Sequence, residues 1–125
     1  MHRFVPAKLH GMLDFITAGL IFCGPEVFRI RDAPASSTPP RVFGAFVVGL
    51  STLTDYGPTK GAELGGLRVL STKTHLRIDA VCGTTVMLLP WLTGSYKKGW
   101  NYWAPQMFMG SSELFFALTT KIEDD

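Results

Sequence analysis

The chain has 125 residues, of which 18% are charged, with a net charge of +2 and a mean hydropathy of +0.20. That length gives one domain, and so few scattered charges exclude a nucleic-acid-binding surface. Low charge with positive hydropathy leans instead toward a membrane protein.

The N-terminal "MHRFVPAKLHGMLDF" has no compact apolar core followed by a small-residue cleavage site, so no cleavable leader is expected. The first apolar segment runs over about residues 9–28 and ends in the loop "RIRDAPASSTPPR" (29–41), whose prolines and serines are expected to stop a helix. A second segment covers about 42–56. The Gly-rich "GPTKGAELGGLRVLSTKT" (57–74) reads as a crossover with room for one short helical turn, and it carries neither a P-loop nor a GxGxxG pattern. The third segment runs over about 75–92 and stops at "TGSYKKG"; the fourth spans about 102–121, before a charged "KIEDD" tail. Cys23 and Cys82 each lie inside an apolar run with no CxxC or His spacing, so both read as small packing residues rather than disulfide or metal ligands.

The expected fold is all-α: a four-helix transmembrane bundle. The longest charge-free run, residues 80–96, falls just short of the roughly 18 residues that identify a membrane span, which leaves a soluble helical bundle as the alternative. Two features favour lipid. The segment middles "ITAGLIFC", "VFGAFVVGL" and "AVCGTTVMLL" are apolar or small all round, as close helix packing in a bilayer requires, and "WNYWAP" (100–105) resembles an interfacial aromatic belt. With four spans, Arg3, Lys8, Lys60, Arg68, Lys73, Arg77 and Lys121 share one side against Arg29, Arg31, Arg41, Lys97 and Lys98 on the other. This bias places both termini in the cytoplasm.

An internal echo organises the chain. "KLHGMLDFITAGLIFCGP" (8–25) aligns without gaps on "KTHLRIDAVCGTTVMLLP" (73–90), matching Lys8 with Lys73, His10 with His75, Asp14 with Asp79 and Pro25 with Pro90. At the same offset Pro40, Phe43, Leu53 and Thr54 match Pro105, Phe108, Leu118 and Thr119, and Glu113 falls opposite Val48. The single domain therefore divides into repeat 1 (about 8–56), a crossover (57–72) and repeat 2 (about 73–121). Two parallel hairpins put His10 and His75 at the same end.

In each repeat His and Asp are four residues apart and stack on one helical face, where the carboxylate can orient the imidazole or both can ligate a cation. His10, Asp14, His75 and Asp79 are the candidate metal ligands. Asp55, closing the second segment, and Glu113, a carboxylate deep in the fourth, form a second tier. Glu26, just after Pro25, is expected to be solvated. Lys8, Lys73 and Arg77 are placed to snorkel. No serine sits in a nucleophile elbow and no His pairs with a reactive Cys, so an enzyme is not the favoured reading.

"LTDYG…GGLRVLSTKTHLRIDAVCGTTVMLLPWLTG", with "KLHGMLDFITAGLIFCGP", resembles small bacterial four-helix integral membrane proteins similar to the SPW-repeat proteins, whose repeats end a helix in a Ser-Pro-Trp-like triplet. The matching triplets here are Leu89-Pro90-Trp91 and Gly24-Pro25-Glu26. The resemblance covers most of residues 8–121 and implies two repeats, a membrane topology and a bacterial inner-membrane setting; it carries no activity or cofactor. Three function classes follow from the residues. The paired His/Asp cluster binds a divalent metal ion or relays protons; or it ties helix ends together in a structural subunit that packs in a homo-oligomer or larger complex; or the two histidines hold a haem.

Overall fold

The computed structural model describes residues 2–56, 67 and 69–122. Four helices carry the fold: α1 (Ala7–Val27), α2 (Pro34–Leu53), α3 (Thr72–Leu92) and α4 (Ala104–Thr119). Two-residue strands β1 (Thr54–Asp55) and β2 (Leu70–Ser71) pair in parallel, and short 3-10 turns at Ser95–Lys98 and Trp100–Tyr102 link α3 to α4. The all-α expectation holds. The crossover expected over 57–72 lies mostly outside the described residues.

α2 begins well before the expected 42, inside the segment assigned to a loop. Pro34 occupies the start of the helix, where a missing N–H costs nothing, and the first turn closes with Ser36 and Ser37 N–H donating to the Ala33 carbonyl at 2.8 and 2.9 Å. Pro39 and Pro40 follow within the helix. Each lies past the first turn, so its missing N–H forfeits an i→i−4 hydrogen bond and its ring crowds the carbonyl four residues back. Ser71 caps α3, its hydroxyl accepting from Thr74 N–H at 3.2 Å.

α1 packs on α2 and α3 on α4, each as a close hairpin. Small residues allow the approach: a Cβ on Gly44 would sit 2.6 Å from the Ala18 carbonyl oxygen, and one on Gly83 2.6 Å from that of Gly110. The hairpins are then laced together at one end. Phe4 N–H donates to Thr119 O at 2.8 Å, and Val69 N–H donates to Leu53 O, also at 2.8 Å. The segment leading into each hairpin thus binds the end of the other.

The two halves superimpose in register, with one correction to the sequence reading. The buried stripe of α1 (Ala7, His10, Gly11, Asp14, Ala18, Ile21, Pro25) repeats in α3 (Thr72, His75, Leu76, Asp79, Gly83, Val86, Pro90) at a spacing of 65. The second helices repeat at 66: Gly44 corresponds to Gly110, and Thr54 to Thr120 rather than to Thr119. One extra residue in the second hairpin's connection accounts for the shift. It makes Val47 the counterpart of Glu113.

Side chains are sorted unusually. Among the described residues the interior holds fourteen polar or charged side chains and eleven apolar ones, while Leu9, Ile16, Leu20, Val42, Phe46, Val81, Leu88 and Phe108 lie exposed along the helices. Helices of a water-soluble bundle bury their large apolar residues and expose the polar ones. Here the stripe that faces inward carries the polar and small residues.

Among the described residues no helix is long and apolar enough to cross a membrane. α4 has only 16 residues, about 24 Å at the usual rise, and the polar stripe lowers the average of the others. Cys23 and Cys82 are free thiols, and Cys23 is exposed, so the packing role expected of it does not apply. Glu26, exposed as expected, pairs with Arg41. Lys8, Lys73 and Arg77 point outward.

Candidate functional site

The two K-x-H-x-x-x-D stretches converge into one site. Because α1 and α3 each place His and Asp one turn apart on the buried stripe, all four side chains meet where the hairpins face each other. Their ligating atoms lie within 4.8 Å of one another, and all four residues are buried. Each imidazole touches both carboxylates. His10 Nε2 lies 3.2 Å from Asp14 and 3.0 Å from Asp79. His75 Nε2 lies 2.9 Å from Asp14 and 2.8 Å from Asp79.

The far side of each ring determines its tautomer. His75 Nδ1 is 2.7 Å from Thr54 Oγ1, and His10 Nδ1 is 2.7 Å from Thr120 Oγ1. Each threonine hydroxyl has one proton, which it donates one turn back, Thr54 to the Leu50 carbonyl at 2.8 Å and Thr120 to that of Phe116 at 2.6 Å. With the hydroxyls so turned their oxygens accept and both Nδ1 atoms carry hydrogen; turned toward the rings, they donate to Nδ1 and the hydrogen sits on Nε2. Each Nε2 aims at the carboxylates. A neutral imidazole with its hydrogen on Nδ1 would direct a lone pair at two anionic oxygens, which repel it. Three arrangements remove the conflict: neutral rings with the hydrogen on Nε2 and the threonine hydroxyls donating to Nδ1, both rings charged with Nε2–H donating to the carboxylates, or a cation among all four groups.

The halves differ around this core. Asp14 Oδ2 also accepts from Tyr56 O–H at 2.9 Å and from Ser51 O–H at 3.2 Å. Burial, together with the nearby Asp14 carboxylate, holds the Tyr56 phenol above its ordinary range, so it remains a donor. Its ring lies over Gly11, where a Cβ would come within 2.9 Å. Ala117 and Ile122 occupy the corresponding positions in the second half and offer no hydroxyl. Asp79 Oδ1 accordingly has no protein partner although buried.

The second-tier residues lie outside the group of four. Asp55 sits in β1, where its carbonyl accepts from Thr72 O–H at 2.6 Å. Glu113 is buried one turn nearer the middle of the bundle, with Thr17 Oγ1 a long 3.5 Å from Oε1 and no partner at Oε2. Haem does not fit between the histidines. Their rings meet edge to face with centroids 5.5 Å apart, and both Nε2 atoms are already against carboxylates.

Thr54, Thr120, Ser51 and Tyr56 complete the site and were not candidates from sequence. The echo of Thr54 and the "TDY" triplet were the available signals. No protein-family model matches the chain, and neither a curated protein nor a solved structure matches it.

Proposed function

We propose that this protein binds a divalent transition-metal ion through His10, Asp14, His75 and Asp79, in a bundle whose outer face lies in a lipid bilayer. The observation that carries the metal reading is the pair of threonine locks, which turn both Nε2 atoms toward two carboxylates. A tetrahedral ion with bonds of about 2.0–2.1 Å holds its ligands roughly 3.3 Å apart, so the four His–Asp spacings of 2.8–3.2 Å would open slightly around it. The donor set of two imidazoles and two carboxylates suits zinc, iron(II) or manganese rather than copper(I). Nδ1–H bonded to a hydroxyl is the outer support a metal-bound histidine requires. The unpartnered Asp79 Oδ1 supplies a further lone pair.

Charge supports the same reading. Two imidazolium ions with two carboxylates sum to zero, as do two neutral imidazoles, two carboxylates and a dication. Binding then exchanges one proton per imidazole for the metal without changing the net charge of a buried site. Where both rings must lose a proton, apparent affinity falls about a hundredfold for each unit by which the pH is lowered.

The bilayer reading rests on the inverted sorting of side chains. It also rests on the aromatic and lysine collar at the far end, where Trp91 stacks on Tyr96 at 5.9 Å and Lys97 and Lys98 lie over Tyr96 and Tyr102. Ionisable groups in such a bundle face inward and pair with one another. The resemblance to SPW-repeat proteins, with an inner-membrane setting and cytoplasmic termini, agrees with it.

Metal content of chelator-free protein, with the cobalt(II) spectrum, tests the site. One metal per chain with tetrahedral cobalt bands, both lost in His10→Ala/His75→Ala, is expected. Metal-free, cobalt-silent wild type would leave the cluster as a structural tie of imidazolium and carboxylate. Carbonate extraction tests the bilayer reading: the protein should stay with the membrane pellet, and release into the supernatant would overturn it.

A further inference from the structure

At the end of the bundle away from the histidines, an apolar cavity of about 240 Å³ opens between the hairpins. Positions related by the repeat line it in pairs: Ile21 with Val86, Phe43 with Met109, and Pro40 with Gln106. The last pair breaks the apolar symmetry. Gln106 is 9% exposed, and its Oε1 is buried without a hydrogen-bond partner. An amide oxygen left so costs about 1–3 kcal/mol unless something donates to it.

We infer that this cavity is a binding site for a neutral, largely apolar molecule carrying one hydroxyl, and that the Gln106 amide turns its buried oxygen into the cavity to accept from that hydroxyl. The volume exceeds that of an apolar cavity of about 150 Å³ known to admit benzene, so a two-ring or short-chain alcohol fits. No charged side chain lines the cavity, which selects against ions and acids. One acceptor in an apolar wall sets the orientation of a ligand with one donor. The inference does not depend on the metal.

The test uses 1-naphthol and naphthalene, which differ by a single hydroxyl, titrated onto protein with labelled methyl groups. Saturable shifts at the Ile21, Ile30 and Val86 methyls are expected from both, with 1-naphthol binding about five- to tenfold more tightly, as one hydrogen bond gives. Gln106→Leu should abolish that preference while keeping naphthalene binding. Gly24 also lines the cavity, and a Cβ there meets no atom within 4 Å. Gly24→Leu should therefore weaken both ligands while circular dichroism stays unchanged. Absence of saturable shifts from either probe would overturn the inference. So would a hydroxyl preference that survives Gln106→Leu, which would assign the amide to a water in the gap of about 10 Å³ it borders with Ser36.

Discussion

The two hairpins share one plan at the histidine end and diverge around the carboxylates. His10 and His75 share one plan, a threonine on Nδ1 and two carboxylates on Nε2, to which the Tyr56 hydroxyl, 3.3 Å from Nε2, is added at His75 alone. Asp14 and Asp79 do not. Asp14 is held by Ser51 and Tyr56 in addition to the histidines, whereas Asp79 keeps one buried oxygen unpartnered. Symmetry thus builds the ligand set, and its breaking gives one carboxylate a fixed place and the other spare acceptor capacity. The internal repeat carries the first. The second needed only that Ala117 and Ile122 differ from Ser51 and Tyr56.

The comparison can be broken most severely at the shared part. His75→Ala leaves two buried carboxylates short of a partner and should cost about 3–5 kcal/mol in denaturant unfolding, with His10→Ala close to it. A large difference between the two would contradict the equivalence of the histidines. Asparagine substitutions then probe the divergent part. Asp14→Asn disturbs contacts with four groups, His10, His75, Ser51 and Tyr56, and should destabilise by roughly 1.5–3 kcal/mol more than Asp79→Asn, since hydrogen bonds to charged groups have that strength. Equal losses would mean that Ser51 and Tyr56 add nothing.

Thr54→Val and Thr120→Val release the Nδ1 locks, and each should weaken metal binding ten- to a hundredfold, by similar factors, in isothermal titration. Tyr56→Phe keeps the ring over Gly11 and removes only its hydroxyl, so a loss of about 1–2 kcal/mol is expected from thermal unfolding. The smallest effect belongs to Glu113→Val, which restores the residue type of its counterpart Val47. Removing a buried carboxyl with an unpartnered oxygen should leave stability unchanged or raise it by about 1 kcal/mol. A clear destabilisation would give Glu113 a role beyond its present contacts.

Much of this was legible in the sequence because a helix converts spacing into geometry. The His/Asp spacing of four and its recurrence 65 residues later suffice to place four groups on two facing stripes. The partners on α2 and α4 were not legible in the same way. One extra residue shifts the second helices, and the adjacent Thr119 and Thr120 make either register plausible in a weakly similar alignment. The strand pairing that brings Thr54 to His75 and Thr120 to His10 crosses between hairpins, which no local pattern encodes. The early start of α2 was hidden by prolines. At the start of the helix, where Pro34 stands, a missing donor matters least, whereas Pro39 and Pro40 lie beyond the first turn and read in the sequence as helix breakers. The exposed apolar faces show why the segment middles looked unstriped: the inward stripe is marked by small and polar residues rather than by large apolar ones.

The central claim is that one divalent ion replaces the imidazole protons at a site of constant charge. Zinc titrated into weakly buffered protein, with bound metal and released acid measured together, tests it most directly. The account predicts one zinc per chain and about two protons released, one from each Nε2. No binding at the four-residue site, or binding with no proton release, would contradict it.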